Sequence, residues 1–272
     1  MTESLAAELK SRALVGVIGP DWRDFLQGLL SQDVETLTPG TLRFGALLTP
    51  QGKLLFDLFI LGRDDGCWLD AAADRREALI QRLTIYKLRA KVEIAAVDAA
   101  VWALWGGTGA ADWPADPRLA ALGRRGYGGA PSADTAIADE AAYDAMRLLL
   151  GVPDPAKDCP PETAFPIEAN FDLLNGIDFQ KGCFVGQETT SRMKRRGAIK
   201  SRMLPIAFKG AAPAFGAEVL AGSLRAGQVH SGAGGRAMAL LRLDRITGAQ
   251  LTVDARPVTV ETPAYFAAAA QA

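Results

Sequence analysis

The sequence predicts an α+β fold that ends in a small antiparallel β-barrel. Up to about residue 200, strand-like runs alternate with helical segments whose apolar residues recur at spacings of three and four. Beyond Arg196 and Gly197 the pattern changes to short strands separated by glycine turns, which is typical of a small barrel or sandwich. We therefore expect two units, an α+β region over residues 1–200 and a barrel domain over residues 201–272.

Individual elements follow from hydrophobic periodicity and from turn residues. A helix begins at Asp21, and Pro50-Gln51-Gly52 joins two strands into a hairpin. Residues 152–166 contain five prolines and predict a loop. The expected strands are 12–18, 42–49, 53–61, 67–71, 91–97, 101–105, 118–124, 203–208, 217–220, 227–230, 237–243, 250–253 and 258–261. The other expected helices are 74–88, 138–150 and 189–196, and an alanine-rich tail over 267–272 is expected to fray.

Composition restricts the kind of protein further. The chain has 272 residues, of which 49% are hydrophobic, enough for a sizeable core. A net charge of −1 argues against nucleic-acid binding, and a single histidine excludes a His-rich metal site. Three cysteines without CxxC spacing indicate neither a disulfide framework nor a bound metal. The N-terminal residues show no signal-peptide pattern and no apolar run reaches membrane-span length, so we expect a cytoplasmic protein with no membrane partner.

The most informative motif is the octapeptide Lys181-Gly182-Cys183-Phe184-Val185-Gly186-Gln187-Glu188. A nearby cation and a helix N-terminus both favour the thiolate form of a cysteine. Lys181 and the helix expected to follow the motif therefore indicate that Cys183 is a reactive thiol. Cys67 and Cys159 are expected to be buried and inert.

The remaining residues of the octapeptide are expected to shape the loop around the thiol. Gly182 and Gly186 carry no side chain, so they permit a turn and a close approach to the backbone. Gln187 and Glu188 are expected to fix the loop by hydrogen bonds rather than to react. Downstream, the basic run Lys194-Arg195-Arg196 either forms a solvated face of the helix or binds an anionic group, such as a polyglutamate tail or a phosphate.

Asp57 is a carboxylate within the otherwise apolar run Leu54-Leu55-Phe56-Asp57-Leu58-Phe59-Ile60. Burying a carboxylate is unfavourable unless it is paired or hydrogen-bonded. It lies either at a strand edge facing solvent or in a pocket, and the apolar neighbours on both sides favour the pocket. A buried carboxylate can accept hydrogen bonds from the adjacent N–H groups of a pterin or guanine-type ring. Arg147, on an aliphatic helix, is either a snorkelling or ion-paired side chain or a second ligand contact.

The octapeptide resembles the signature of the YgfZ family, folate-binding relatives of the glycine-cleavage T-protein, an aminomethyltransferase. Other segments resemble the family in the same order along the chain, and together they cover most of residues 11–243. These segments are 25–34, the hairpin residues 48–57, Arg147-Leu148 with Gly151, and 165–170.

The resemblance implies a folate-binding body arranged as a ring with the barrel, and tetrahydrofolate or a one-carbon derivative of it in the central hole. It also implies a role in the assembly or repair of iron–sulfur clusters, with iron–sulfur enzymes or cluster-assembly proteins as partners. Cys183 and Lys181 are the expected reactive pair. The expected folate contacts are Asp57, Arg147, Gly182, Gly186, Gln187 and Glu188.

One position departs from the T-protein pattern. Where T-proteins read R-[LV]-E-x-G, Leu149 stands in place of the glutamate that holds the folate, and an apolar side chain accepts no hydrogen bond. T-proteins also lack the motif cysteine. Three hypotheses remain: a folate-dependent accessory protein for iron–sulfur clusters, an aminomethyltransferase, and a non-enzymatic folate-binding scaffold in which Cys183 is merely packed.

Overall fold

The computed structural model describes residues 3–107, 112–197 and 199–269. Over these ranges the chain forms a five-stranded sheet, a four-stranded sheet and a closed six-stranded barrel. The strands are β1 (Leu5–Glu8), β2 (Arg12–Ile18), β3 (Leu42–Leu48), β4 (Leu54–Gly62), β5 (Gly66–Ala72), β6 (Glu93–Val97), β7 (Ala100–Trp105), β8 (Arg124–Gly128), β9 (Ala136–Ile137), β10 (Ser201–Ala207), β11 (Glu218–Ala221), β12 (Leu224–Ala233), β13 (Arg236–Arg242), β14 (Leu251–Val253) and β15 (Arg256–Val260).

The helices lie between and around these sheets. Two short 3₁₀ turns occur at Ala73–Arg75 and Ala120–Leu122. None of the helices within the described ranges is long and apolar enough to cross a membrane. The helices are α1 (Trp22–Gln27), α2 (Arg76–Lys87), α3 (Glu140–Leu149), α4 (Pro155–Asp158), α5 (Gln187–Arg196), α6 (Leu243–Ile246) and α7 (Ala264–Ala269).

The five-stranded sheet is covered on both faces. Its order is β3-β4-β5-β2-β6, and its pairings are antiparallel. Leu58 of β4 packs in one core with Leu79 of α2, and Phe59 packs in a second core with Phe171. Because both faces are covered, every residue of β4 is buried, including Asp57. Asp57 and Phe59 are two residues apart and therefore share a face of the sheet.

The C-terminal strands close into a barrel in the order β10-β13-β12-β11-β14-β15. Its interior is filled by aliphatic side chains such as Ile206, Val229 and Leu241. The predicted α+β class and the C-terminal barrel are therefore confirmed. The barrel begins at Ser201, while the division into two units at residue 200 stays a prediction.

Three expected elements differ from the structure. The strand expected over 118–124 is a 3₁₀ turn, and β8 begins only at Arg124, because Arg118 folds back to bind both carboxylate oxygens of Asp116 at 3.0 and 2.8 Å. The proline-rich loop contains α4, which starts with Pro155 and is capped by the Asp154 side chain. The tail forms α7 up to Ala269, and residues 270–272 lie outside the described residues.

Candidate functional site

The reactive cysteine predicted from the octapeptide lies at the surface. Cys183 is exposed, whereas Cys67 and Cys159 are buried, and burial raises the pKa of both buried thiols. Gly182 is also exposed. Phe184, which follows Cys183, is only 7% exposed and packs in the core that contains Phe59 of β4. The loop therefore presents the sulfur to solvent while its neighbour fixes the loop to the protein.

Lys181 anchors the loop on the N-terminal side of the cysteine. Its Nζ donates to the backbone oxygens of Gln27, Leu30 and Gln32 at 2.8, 2.7 and 2.9 Å. These oxygens belong to the end of α1 and the segment that follows it. The ammonium group of Lys181, with its three donors, therefore links the cysteine loop to a segment that is about 150 residues away in sequence. The expected effect of Lys181 on Cys183 stays a prediction.

Further hydrogen bonds attach both ends of the loop to the segment after α1. The Asp178 backbone N–H donates to the oxygen of Ser31 at 2.9 Å, and the Val185 N–H donates to Gly28 at 3.2 Å. The Asp178 carboxylate accepts from the backbone N–H of Lys181 at 3.2 Å. Cys183 thus lies between two attachment points, which hold it in place without covering it.

Gly186 packs against the hairpin turn between β3 and β4. Its φ is +81°, and a Cβ there would lie 2.7 Å from the Thr49 oxygen and 2.9 Å from the Cα of Gly52. No side chain fits there, because the hairpin turn approaches the backbone of this glycine closely, while the expected approach of a ligand stays a prediction. At Gly182 an added Cβ would meet nothing within 4 Å. The space beside Cys183 is therefore open to a ligand or a partner.

A groove runs along α5 next to the loop. Gly186 is the N-cap of α5, which begins at Gln187, two residues earlier than expected. Gln187 and Glu188 line this groove. It has a volume of about 560 Å³ and is called the α5 groove below. The α5 groove is lined by Phe179, Gln187, Glu188, Ser191, Lys194 and Arg195.

Asp57 is buried in an ion pair. It is 6% exposed, and its Oδ2 accepts from Arg12 Nη1 at 2.7 Å. Arg12 also donates through Nε to Asp70 at 2.6 Å. The buried position expected from the apolar neighbours of Asp57 is present, but its partner is an arginine of β2 rather than a ligand. Its role as a folate contact stays a prediction.

The pair belongs to a larger buried network. Asp70 also binds Arg125 at 2.7 Å, and Asp116 binds Arg125 at 3.3 Å and Arg118 at 2.8 Å. Burial alone would raise the pKa of Asp116, but the charges of the two arginines lower it below its usual value. The guanidinium of Arg125 lies 3.5 Å from the centre of the Phe59 ring. These contacts join both sheets at the centre of the fold.

Arg147 joins α3 to the barrel and to α4. It donates to Asp158 at 3.0 Å, to Asp144 at 2.8 Å and to Ser231 Oγ at 2.7 Å. Asp158 in turn accepts the backbone N–H of Ser231 at 3.0 Å, where the register of β12 shifts. The arginine therefore connects α3 and α4 to strand β12 of the barrel, and its expected contact with folate stays a prediction.

The cavity enclosed at the centre of this fold is too small for tetrahydrofolate, while Asp57 also lines a second cavity of about 310 Å³ with residues such as Arg75 and Pro155. The space enclosed at the centre, between residues such as Arg12, Asp57, Arg118 and Arg147, is about 10 Å³. That is room for roughly one water, whereas small-molecule pockets have volumes of about 300–1,000 Å³. Leu149 is 60% exposed and offers no hydrogen-bond acceptor. The arginines and aspartates occupy the hole that the ring arrangement implied.

Sequence reasoning missed five members of this network: Arg12, Asp70, Asp116, Arg118 and Arg125. A signal was present for Asp70, because it lies in the apolar strand Gly66–Ala72 much as Asp57 lies in β4. The arginines carry no such signal. Among the described residues, no three His, Cys, Asp or Glu side chains come together in an arrangement that could hold a metal ion.

Comparison of the whole fold shows a likeness to glycine cleavage system aminomethyltransferase T from Bartonella henselae. The TM-score is 0.77 over 97% of this chain and 86% of that chain, at 17% sequence identity. At this identity the likeness shows the fold alone. The barrel region also matches a family model: residues 200–268 match the CAF17 C-terminal beta-barrel domain.

Sequence comparison finds named relatives. The mitochondrial iron–sulfur cluster assembly factor IBA57 homologue of Neurospora crassa is 33% identical over 244 residues, which are 78% of this chain and 56% of that protein. This chain therefore spans only about half the length of the fungal relatives. Human mitochondrial IBA57 is 31% identical over 277 residues, which are 88% of this chain and 78% of the human protein.

These relatives correct one expectation and refine another. The expected cytoplasmic location is wrong, because the IBA57 relatives are mitochondrial proteins. The expectation rested on the absence of recognisable sorting signals, which is weak support for a location. The YgfZ-like resemblance is supported in part: the fold is that of an aminomethyltransferase T, and the relatives found by sequence are named IBA57. At this identity and coverage of the human protein, the chain belongs to the family of the iron–sulfur cluster assembly factor IBA57.

Proposed function

We propose that this protein takes part in iron–sulfur cluster assembly through Cys183, whose thiolate binds an iron of a cluster that a partner protein also holds. The observation that carries this proposal is the position of Cys183, exposed on a loop attached to the protein on both sides. The names of the relatives, iron–sulfur cluster assembly factors, support the same process.

The chemistry requires ligands from more than one protein. Iron–sulfur clusters are held chiefly by thiolates, commonly four for each cluster. Cys67 and Cys159 are buried, so Cys183 supplies one ligand and the partner supplies the others. Because Lys181 and Phe184 already hold the loop, little conformational entropy is lost when Cys183 binds. The cluster is therefore cargo that this protein shares during transfer.

The competing hypotheses agree less well with the geometry. Tetrahydrofolate has no part in the proposal, because the centre of the fold does not fit it. Aminomethyl transfer is disfavoured since Asp57 is paired with Arg12 and the exposed Leu149 replaces a folate-holding glutamate. A scaffold with a merely packed Cys183 does not agree with the exposure of this residue.

The test replaces Cys183 by serine in cells that lack their own copy of this protein. We expect iron–sulfur enzyme activities to stay as low as without the protein. The melting temperature of the purified variant should stay within about 2 °C of the wild type, because exposed substitutions usually change stability by less than about 0.5 kcal/mol. Gln180→Ala, also exposed on this loop, is the matched control and should restore activity fully. Full restoration by Cys183→Ser would overturn the proposal.

A further inference from the structure

The α5 groove is lined by residues that precede and follow the cysteine loop in sequence, and Cys183 itself does not line it. Phe179 lines it on one side and α5 on the other, and Cys183 lies in the loop that connects these two sides. The helix has ten residues and is therefore about 15 Å long. The volume of about 560 Å³ is open along this length, so the groove suits an extended segment of a chain.

The charge of the groove is positive although the whole chain has a net charge of −1. Lys194 and Arg195 of α5 line the groove and are exposed, and Glu188 is the acidic residue among those that line it. Asp172 neutralises Lys194 only weakly. The distance between them is 3.8 Å, and both Asp172 oxygens already bind Arg202 at 2.5 and 2.9 Å.

The groove also offers an apolar contact. Phe179 is partly exposed, and Lys194 Nζ lies 5.4 Å from the centre of its ring. Lys194 and Arg195 are neighbours in sequence and line the groove together with this ring. An exposed aromatic ring beside two cations fits a peptide that carries acidic residues together with an apolar one.

We propose that the α5 groove docks an acidic surface segment of the protein that shares the cluster with Cys183. The inference rests on the proposed function, because the docked partner is the one that supplies the other cluster ligands. Docking at Phe179, Lys194 and Arg195 brings the partner next to the exposed loop. Charge complementarity then raises the rate of encounter at the thiol.

The experiment measures the reaction of Cys183 with short peptides on the full chain. Three probes of equal length each carry a terminal cysteine activated as a pyridyl disulfide; one is rich in Glu and Asp, one is neutral and one is rich in Lys. The Cys183 thiolate attacks the peptide sulfur, a protein–peptide disulfide forms as the original disulfide breaks, and pyridine-2-thione is released and measured by its absorbance. Cys67 and Cys159 are buried, so the signal reports Cys183.

We expect the acidic peptide to react roughly tenfold faster than the neutral one at low ionic strength, and the basic one more slowly. Added salt should remove the difference, because exposed charges are screened. The double variant Lys194→Glu with Arg195→Glu should lose the preference yet keep the rate with the neutral peptide. The matched control, Lys10→Glu with Lys209→Glu, changes the net charge equally at exposed positions outside the groove and should keep the preference.

Several outcomes would overturn the docking proposal. Equal rates for the acidic and neutral peptides would do so, as would a preference that survives reversal of both charges. Loss of the preference in inorganic phosphate at constant ionic strength would indicate a small-anion site instead. The neutral-peptide rate and the Cys183→Ser test in cells examine the thiol separately, so failure of docking is distinguishable from failure of the proposed function.

Discussion

Lys181 acts on a segment far away in sequence. Its ammonium group donates to three backbone oxygens within residues 27–32. Burial lowers the pKa of Lys181 to about 8, so at neutral pH the group remains mostly protonated and keeps its three donors. Lys181 therefore positions the cysteine loop.

His230 is a second residue whose burial has a measurable consequence. It is the single histidine of the chain and is 8% exposed, and neither ring nitrogen has a hydrogen-bond partner among the described residues. Burial lowers the pKa of His230 below its ordinary value of 6.5, although the charge of Asp158 acts to raise it. The neutral ring is therefore the form that the fold favours.

The sign of the resulting pH dependence follows from proton binding. Below pH 6.5 the unfolded chain binds the His230 proton more readily than the folded chain, so the free energy of unfolding falls as the pH drops towards the folded-state pKa. Urea denaturation between about pH 7.5 and 5.5 should show this loss, at most about 1.4 kcal/mol per pH unit from one group. His230→Gln should remove that part of the slope. An identical slope in both proteins would contradict the assignment.

At the level of elements, the start of α5 packs against the hairpin between β3 and β4 at the end of the cysteine loop. The contact depends on two glycines whose backbones approach closely, Gly52 and Gly186, with φ values of +82° and +81°. The hairpin was predicted from its turn residues and the helix from its basic segment. Their contact follows only from the fold.

Two glycines of the motif make a matched pair of variants. Gly186→Ala forces a Cβ to within 2.7 Å of the Thr49 oxygen at a left-handed φ, so the free energy of unfolding should fall by about 2 kcal/mol. Gly182→Ala places a Cβ in open space and should change it by less than about 0.5 kcal/mol. Urea denaturation measures both. Equal effects of the two variants would show that the packing at Gly186 is not the constraint.

For the whole molecule, buried ion pairs occupy the place where a ring-shaped arrangement would have a hole. Arg12, Arg118 and Arg125 face Asp57, Asp70 and Asp116 across the centre of the fold. Burial of one such charge alone is unfavourable, whereas the fold accommodates buried charges when each has a partner of opposite sign. A pterin would have to separate these pairs in order to enter.

The filled centre gives a prediction for folate binding. Titration with tetrahydrofolate, followed by tryptophan fluorescence or calorimetry, should show no saturable binding, because about 10 Å³ of free space cannot admit a pterin ring. An aminomethyltransferase of the T-protein type serves as the positive control. Saturable binding that Asp57→Ala abolishes would mean that the centre opens and would refute this account.

Much of the fold follows from local patterns in the sequence. Hydrophobic alternation and turn residues predicted the hairpin, the helices α1, α2, α3 and α5, and a C-terminal barrel or sandwich, because side-chain period and turn chemistry are encoded by near neighbours. The turn at Ala120–Leu122 was missed because the side-chain contact of Arg118 with Asp116 overrides the strand pattern. The octapeptide indicated the cysteine that the structure exposes.

The sequence by itself determined the order of the elements, the apolar strand around Asp57 and the motif that carries Cys183. Only the tertiary structure decided which groups meet: Asp57 pairs with Arg12, 45 residues away, and Arg147 bonds Ser231, 84 residues away. Local periodicity decides which face of an element is buried, but a buried charge needs a specific partner whose identity depends on how distant segments pack. The centre of this fold is therefore closed by residues whose pairing no local pattern encodes.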